Sequence, residues 1–267
     1  MSIAVLSICR NDRKGLEATV ASVASQTRRP DEFIVLDGAS TDDTVTYLET
    51  SSVQTLWKSE PYNGIADAFN KVALLASSDW VVYLNAGDTF ADPGVLSDVS
   101  DFLGSLSEET GVCYGDCIVV DPKGYEPTRR IQGRHTLDSK GCPICHQAAF
   151  IRRPLQLSTP YDQRLRIAMD YDLWHRLLKK TRFVRFDRVI CIYKLGGISS
   201  SREWGEHSII AHHMVDWLNS DRRKLDYREV AALLKAVIGY RTKKRLERMI
   251  GISRYARLKS LFKTGSR

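Results

Sequence analysis

The chain has 267 residues, of which 43% are hydrophobic and 27% charged, a composition ordinary for a soluble globular protein and unlike that of a disordered one. Its formal charge of +7 sits at one end: residues 241–267 carry ten Lys or Arg against one Glu, a local +9, which leaves a body near −2. A body this close to neutral excludes the broad basic face of a nucleic-acid protein and points to a basic tail that touches a polyanionic surface.

"IAVLSIC" (3–9) is apolar and β-branched, the pattern of a central strand. "GLEATVASVASQT" (15–27) places Leu16, Val20 and Val23 on one helical face, and Pro30 breaks the chain after it. "EFIVLD" (32–37) predicts a second strand ending in a carboxylate. "DDTVTYLE" (42–49) predicts a helix starting near Ser40 or Thr41, with Asp42 and Asp43 in its first turn. "VQTLWKSE" (53–60) predicts a short strand, "GIADAFNKVALLAS" (64–77) a helix and "WVVYL" (80–84) a fourth strand. "PGVLSDVSDFLGSL" (93–106) predicts a helix with Pro93 as its first residue.

Strand and helix alternate strictly over these 100 or so residues, which predicts an α/β layer fold with a mostly parallel sheet. In such sheets ligands bind beyond the carboxyl ends of the strands. Asn11, Asp37, Glu60 and Asp88 all fall there. Past residue 110 the pattern is less regular. Strands are expected at 111–121, 146–153, 183–186 and 189–193, and an amphipathic helix at 171–180. The basic stretch 122–141 is expected as a solvated loop or acceptor flap. Beyond 200 the chain is expected to be helical, in pieces divided near Gly239 and Gly251.

The opening "MSIAVLSICRND" turns polar too soon for a signal peptide or membrane span, and no later run reaches 18 apolar residues, so a cytoplasmic protein is expected. Its cysteines, Cys9, Cys113, Cys117, Cys142, Cys145 and Cys191, are then expected as reduced thiols. "CPICH" (142–146) spells a heme-attachment pattern, but that chemistry needs an exported chain. A zinc site from Cys113, Cys117, Cys142 and Cys145 stands as a second reading beside plain buried or loop cysteines.

Several polar residues can carry chemistry. Asp88 follows Gly87, whose missing side chain permits close approach of a ligand, and a lone carboxylate there can hold a divalent ion or cap a turn. Asn85 can orient the same loop. Asp37 can accept from a ribose or a base, or cap the turn that follows. Asp67 and Lys71, four apart on one helix, are either an ion pair or the wall of a nucleotide pocket. Asp170 is expected as a helix N-cap held over a pocket, with Asp172 in the first turn. His146 can bind phosphate, ligate metal or pack in the core, and it and Gln147 beside it are candidates for the acceptor or phosphate side. The chain lacks GxSxG, GxxxxGK[ST] and GxGxxG patterns, which counts against hydrolase, P-loop and standard dinucleotide readings.

The blocks "LSICRNDRKGLEATVASVASQ", "EFIVLDGASTDDT", "SEPYNGIADAFNKVALLASSDWVVYLNAGDTF", "CHQAAFIRR" and "DYDLWHRL", in this order, resemble the inverting nucleotide-sugar glycosyltransferases of family 2, in the branch that builds colanic acid and other bacterial surface polysaccharides. The resemblance covers about residues 2–200. It implies a GT-A fold, a Rossmann-like sheet flanked by helices, with residues 1–110 as the nucleotide-binding half, 111–200 as the acceptor and catalytic half, and 201–267 as a helical, basic extension. It implies that Asn11, Asp37, Asp67 and Lys71 line the nucleotide pocket and that Asn85 to Asp88 is a degenerate DxD segment with Asp88 on Mg²⁺ or Mn²⁺. Asp170 matches the catalytic base, and Ser199 in "GGISS" matches a loop near the donor phosphates. The implied substrates are a nucleotide sugar, UDP-linked by preference, and a saccharide or lipid-linked saccharide. Residues 241–267 could then lie on an anionic membrane at the inner face of the cell membrane, or pack in a homodimer. No nucleic acid is expected. The altered metal segment leaves one alternative, a nucleotide- or glycan-binding protein with a decayed active site.

Overall fold

The computed structural model describes residues 1–53, 55–121, 128–134, 144–195, 205–219 and 227–250. The strands and helices run β1 (Ile3–Cys9), α1 (Arg13–Ala24), β2 (Glu32–Asp37), α2 (Thr44–Thr50), β3 (Leu56–Ser59), α3 (Ile65–Leu75), β4 (Trp80–Tyr83), β5 (Thr89–Phe90) and α4 (Val95–Gly104). The second half gives β6 (Thr110–Val120), β7 (Arg129–Ile131), a 3-10 turn (His146–Ala148), β8 (Ala149–Arg152), α5 (Arg153–Ser158), α6 (Met169–Leu178), β9 (Arg182–Lys194), α7 (Gly205–Asn219) and α8 (Tyr227–Ile250).

One sheet organises the chain, with strand order β3-β2-β1-β4-β8-β6-β9-β5 and β7 paired to β6. The expected parallel sheet occupies its first four strands, where β1 lies between β2 and β4 and β2 carries β3. Past β4 the sheet is mixed: β8 is antiparallel to both β4 and β6, whereas β6 and β9 are parallel. The physical reason is in the connections. Long βαβ crossovers impose parallel neighbours in the first half, and the strands that follow α4 extend the sheet beyond β4, with β8 inserted antiparallel between β4 and β6.

Alternation along the strands feeds two cores. Ile3, Val5, Trp80 and Val82 pack on one face with Leu16, Val20 and Val23 of α1 and Val95, Val99 and Leu103 of α4. Ala4, Leu6, Val81 and Tyr83 pack on the other with Phe69 and Val72 of α3 and Leu173, Trp174 and Leu177 of α6. Strands buried on both faces show no polar alternation, which is why they stand out as unbroken apolar runs. A third cluster, Ile167, Ala168, Tyr171 and Val215, docks α7 on α6.

Local boundaries depart from the expectations at several places. The helix after β2 begins at Thr44, where Asp42 accepts the Thr44 N–H at 3.1 Å. Pro93 lies outside α4, which starts at Val95. The two strands expected at 183–186 and 189–193 are one continuous strand, and the strand expected at 146–153 is a 3-10 turn, a short strand and the start of α5. Gly239 does not divide the tail: it lies inside α8, and residue 251 is outside the described residues. Among the described residues no helix is long and apolar enough to cross a membrane.

Candidate active site

The strand order reverses between β1 and β4: the chain leaves β1 toward β2 and β3 on one side and returns to β4 on the other. Such a switch point opens a crevice at the carboxyl ends of the two strands. A cleft of about 500 Å³ lies there, lined by Ile8 to Arg10 and Asp12 after β1 and by Asn85, Ala86 and Asp88 after β4. Its far wall comes from the second half of the chain, with Cys145, His146, Gln147, Arg166 to Asp170 and Lys194.

The loop that delivers Asp88 is built around Thr19. The Thr19 hydroxyl lies 3.0 Å from the Asn85 carbonyl and 2.7 Å from the Asp88 carbonyl, and it accepts the Gly87 N–H at 3.1 Å. Gly87 has φ +95°, in the left-handed region that favours glycine. Asp88 itself is 5% exposed. Its Oδ2 accepts from Gln147 Nε2 at 3.0 Å. Burial pushes its carboxyl up to about 7, against the lowering effects of the Gln147 amide and of the Lys194 backbone N–H and charge.

Asp170 lines the same cleft from the second half of the chain. The expected N-cap placement is corrected: the cap position is Ala168, in the left-handed region at φ 58°, and Asp170 is the second residue of α6. Its Oδ1 accepts the Tyr171 N–H at 2.9 Å. Burial pushes this carboxyl above the usual range, and the His212 charge on α7 pulls the other way. Asp172, on the same turn, is structural. It accepts from Arg176 Nε at 2.8 Å and Asn219 Nδ2 at 3.0 Å, tying α6 to α7.

The other sequence-derived candidates are distributed as follows. His146 and Gln147 line the cleft with Asn85, Asp88 and Asp170. His146 is also packed in an aromatic box: its ring stacks on Tyr83 at 4.8 Å and lies 4.8 Å from Phe69, with its Nε2 against the Tyr161 hydroxyl. Burial pushes its pKa down to about 3, so it is neutral at ordinary pH. Core packing, one of its three readings, is thus the one its geometry displays. Asn11 and Asp37 are not among the residues that line the cleft; Asn11 follows Arg10, and Asp37 pairs with Cys9 in the β1–β2 ladder. Asn11 Oδ1 accepts the Thr41 N–H at 2.7 Å, and the fully buried Asp37 carboxylate accepts from the Ser40 N–H at 3.0 Å and the Ser59 hydroxyl at 2.6 Å. Asp67 and Lys71 form the helix ion pair at 3.2 Å, and Lys71 Nζ also donates to the Pro61 carbonyl at 2.9 Å. Ser199 lies outside the described residues.

Three basic cleft residues were missed: Arg10, Arg166 and Lys194. Arg10 and Lys194 had a usable signal, since each directly adjoins the end of a strand. The four-cysteine zinc grouping is also corrected. Cys117, Cys145 and Cys191 bring their sulfurs within 4.8 Å of one another, Cys113 is not among them, and Cys142 lies outside the described residues.

A divalent cation of the kind the DxD resemblance implies needs hard oxygen donors. Asp88 supplies a carboxylate, and Asn85 supplies a side-chain oxygen that is buried and without a hydrogen-bond partner. An unmatched buried acceptor beside a carboxylate made more basic by burial fits a missing positive charge. Two donors are few, so phosphate and water oxygens must complete the shell.

Residues 4–159 match the family described as Glycosyl transferase family 2. An uncharacterised glycosyltransferase of Mycobacterium tuberculosis is 31% identical over 212 residues, 76% of this chain and 78% of the relative. A PGL/p-HBAD biosynthesis glycosyltransferase of Mycobacterium bovis is 28% identical over 201 residues, 70% of this chain and 74% of the relative. Among solved structures, S. aureus TarS 1–349 in complex with UDP-GlcNAc superposes with a TM-score of 0.62 at 14% identity, covering 99% of this chain and 92% of TarS 1–349. The mannosyltransferase PcManGT of Pyrobaculum calidifontis, in complex with GDP-Man and Mn²⁺, gives a TM-score of 0.62 at 15% identity, covering 98% and 79%. At these identities the two structures bear on the fold alone.

Proposed function

The chain belongs to glycosyl transferase family 2, and from that premise we propose that it transfers a sugar, with inversion at the anomeric carbon, from a nucleoside diphosphate sugar to a hydroxyl of a saccharide or lipid-linked saccharide in surface-polysaccharide synthesis. The observation that carries the reading is that Asp88 and Asp170 line one cleft at the sheet's switch point. The UDP preference remains part of this proposal and rests on the family resemblance alone.

The donor pyrophosphate would lie by the β1 and β4 ends. Arg10, Arg166 and Lys194 face that space and would offset its charge. Lys71 is not among these, since its ammonium is held by Pro61 and Asp67. A bound Mg²⁺ or Mn²⁺, held by Asp88 and Asn85, would supply further charge neutralisation at the leaving phosphate. Gln147 orients the Asp88 carboxylate. Asp170 accepts the proton of the acceptor hydroxyl as that oxygen bonds to the anomeric carbon and the nucleoside diphosphate departs with the electrons of the broken bond. This requires Asp170 ionised and within about 3 Å of the hydroxyl, or one water away. Its raised proton affinity makes it the stronger base once ionised.

The acceptor side favours a place at the inner face of the membrane. On α8, Val230, Leu234 and Ile238 are exposed at 40%, 55% and 61% and recur every fourth residue. This apolar row precedes the basic stretch, an arrangement suited to an anionic lipid surface.

The test is a screen of nucleotide sugars with Mn²⁺ or Mg²⁺ by thermal shift, followed by transfer assays on candidate saccharides and determination of the product anomer. Turnover with inversion supports the reading. Donor binding without turnover for every acceptor tried favours the decayed binding protein, and a retained anomer defeats the assignment of Asp170.

A further inference from the structure

We propose that Cys117, Cys145 and Cys191 form a binding site for one thiophilic divalent cation of the Zn²⁺ class, set into the floor of the cleft and distinct from the oxygen site of Asp88. The inference rests on the geometry of the thiols and not on the transferase reading.

The three residues are far apart in sequence and are brought together by the sheet. Cys117 and Cys191 are direct partners in the parallel β6–β9 ladder, so their side chains leave the same face. Cys145 comes from the segment just before the 3-10 turn. All three sulfurs lie within 4.8 Å of one another. Thiolates on one Zn²⁺, with Zn–S near 2.3 Å, sit about 4 Å apart, so the trio closes on an ion with shifts of under about 1 Å. No described cysteine is tied up in a disulfide.

Access and selectivity follow from the surroundings. Cys117 and Cys145 line the cleft, and Cys117 and Cys191 are both fully buried, so an ion enters from the cleft past the partly exposed Cys145 and its fourth position faces that space. Three sulfur donors select a soft or borderline cation and reject Mg²⁺, which needs oxygen. Binding releases the protons of the thiols to solvent and leaves a site of net −1, with Lys194 as a cation on the same cleft wall. The cost is local. Cys145 Sγ donates to Gln147 Oε1 at 3.2 Å, and the same Gln147 holds Asp88. Metal on Cys145 removes that donated hydrogen bond.

The probe is Co²⁺, then Zn²⁺, added to the full-length reduced protein. The expected result is one Co²⁺ per chain with thiolate-to-cobalt charge-transfer absorption in the near ultraviolet, displaced by Zn²⁺ and unaffected by excess Mg²⁺. Cys191→Ser weakens Co²⁺ binding at least about tenfold, whereas Cys113→Ser, at an equally buried position of β6, leaves it intact. Should either variant fail to fold, alkylation of the wild-type protein followed by mass mapping decides: Zn²⁺ must protect Cys145, the one thiol of the three that is not fully buried. Absence of the charge-transfer band, a band that survives Cys191→Ser, or Zn²⁺ that leaves Cys145 unprotected overturns the proposal.

Discussion

The side-chain amide of Gln147 donates to the Asp88 carboxylate at 3.0 Å, joining the loop after β4 to the 3-10 turn that precedes β8. The contact spans the two halves of the chain, so the Asp88 carboxylate is aimed by a residue of the second half. Replacing Gln147 with Ala removes that aim but leaves Asp170 untouched. Affinity for nucleoside diphosphate in the presence of Mn²⁺ should fall about tenfold, the lower end of what losing a partner of a metal-binding carboxylate costs. The turnover rate at saturating donor should change far less. Calorimetric titration of UDP with Mn²⁺, alongside steady-state kinetics, checks the split.

Asp170→Asn tests the base. Transfer should fall by about 10² to 10⁴, while donor binding stays within about twofold. Stability should move the other way. The folded-state pKa of Asp170 is raised, so the wild type loses stability as pH rises through that value, when the buried carboxyl must ionise. Asn has no such cost. The melting temperature of the variant relative to wild type should therefore climb with pH, and a difference that is flat or falls with pH would refute the burial argument.

Much of this site could be read from the residues, and the limits have physical causes. The apolar runs of β1, β2 and β4 are visible because strands buried on both faces carry no polar alternation. Asp88 and Asp170, which both line the cleft, stood out because one follows β4 and the other lies in the first turn of α6. The left-handed backbone at Ala168 left no mark, since alanine has no preference for that region, and so Asp170 was assigned the cap position. Arg166 resembles any solvated arginine until the fold turns it toward the cleft. The thiol cluster was unreadable for a different reason. Cys113 and Cys117 are four apart on a strand, about 13 Å, too far to share an ion, and only the β6–β9 register delivers Cys191.

Asp88 should also shape the acid–base stability of the free protein. Its pKa rises from the ordinary 3.8 to about 7 on folding. Below 3.8 the folded and unfolded states are both protonated; between the two values the unfolded chain ionises first, and stability drains as pH rises toward 7. Asp88→Asn should remove that slope and abolish any stabilisation by Mn²⁺ with nucleoside diphosphate. Urea melts at several pH values between 4 and 8 provide the comparison. An unchanged pH slope in the variant would contradict the assignment.

Asp116 illustrates the opposite sign. Its side chain is fully buried and accepts from the Gly133 N–H at 3.0 Å, Arg130 Nε at 2.7 Å and Arg185 Nη2 at 3.0 Å. Burial raises its pKa, but these partners together outweigh it and the net shift is downward. Asp116→Ala leaves the Gly133 N–H without its acceptor and should cost about 2 kcal/mol, that of an unsatisfied buried donor, because Arg185 keeps its pair with Asp187 at 3.0 Å and the half-exposed Arg130 regains water. The depressed pKa means this stability is present above the ordinary carboxylate range and is lost as pH falls through the folded value. The variant's acid unfolding between pH 5 and about 2 should accordingly be shallower than that of the wild type, as followed by circular dichroism.

The last helix separates two accounts of the tail. Along α8 the positions of Val230, Leu234, Ile238, Arg241 and Arg245 fall within about 80° of one another at 100° per residue, so one face is apolar and then basic. All five residues are exposed. On an anionic bilayer the apolar row enters the interface while the arginines meet the headgroups, each basic residue adding about 1 kcal/mol. Deleting residues 241–267 should lower co-sedimentation with phosphatidylserine vesicles by at least tenfold, and Leu234→Asp with Ile238→Asp should lower it further. Neutral vesicles should bind the intact chain weakly, and raised salt should release it from anionic ones. If the two aspartates instead convert a dimer to a monomer in light scattering and leave vesicle binding unchanged, the face is a contact between copies of the chain and the membrane assignment fails.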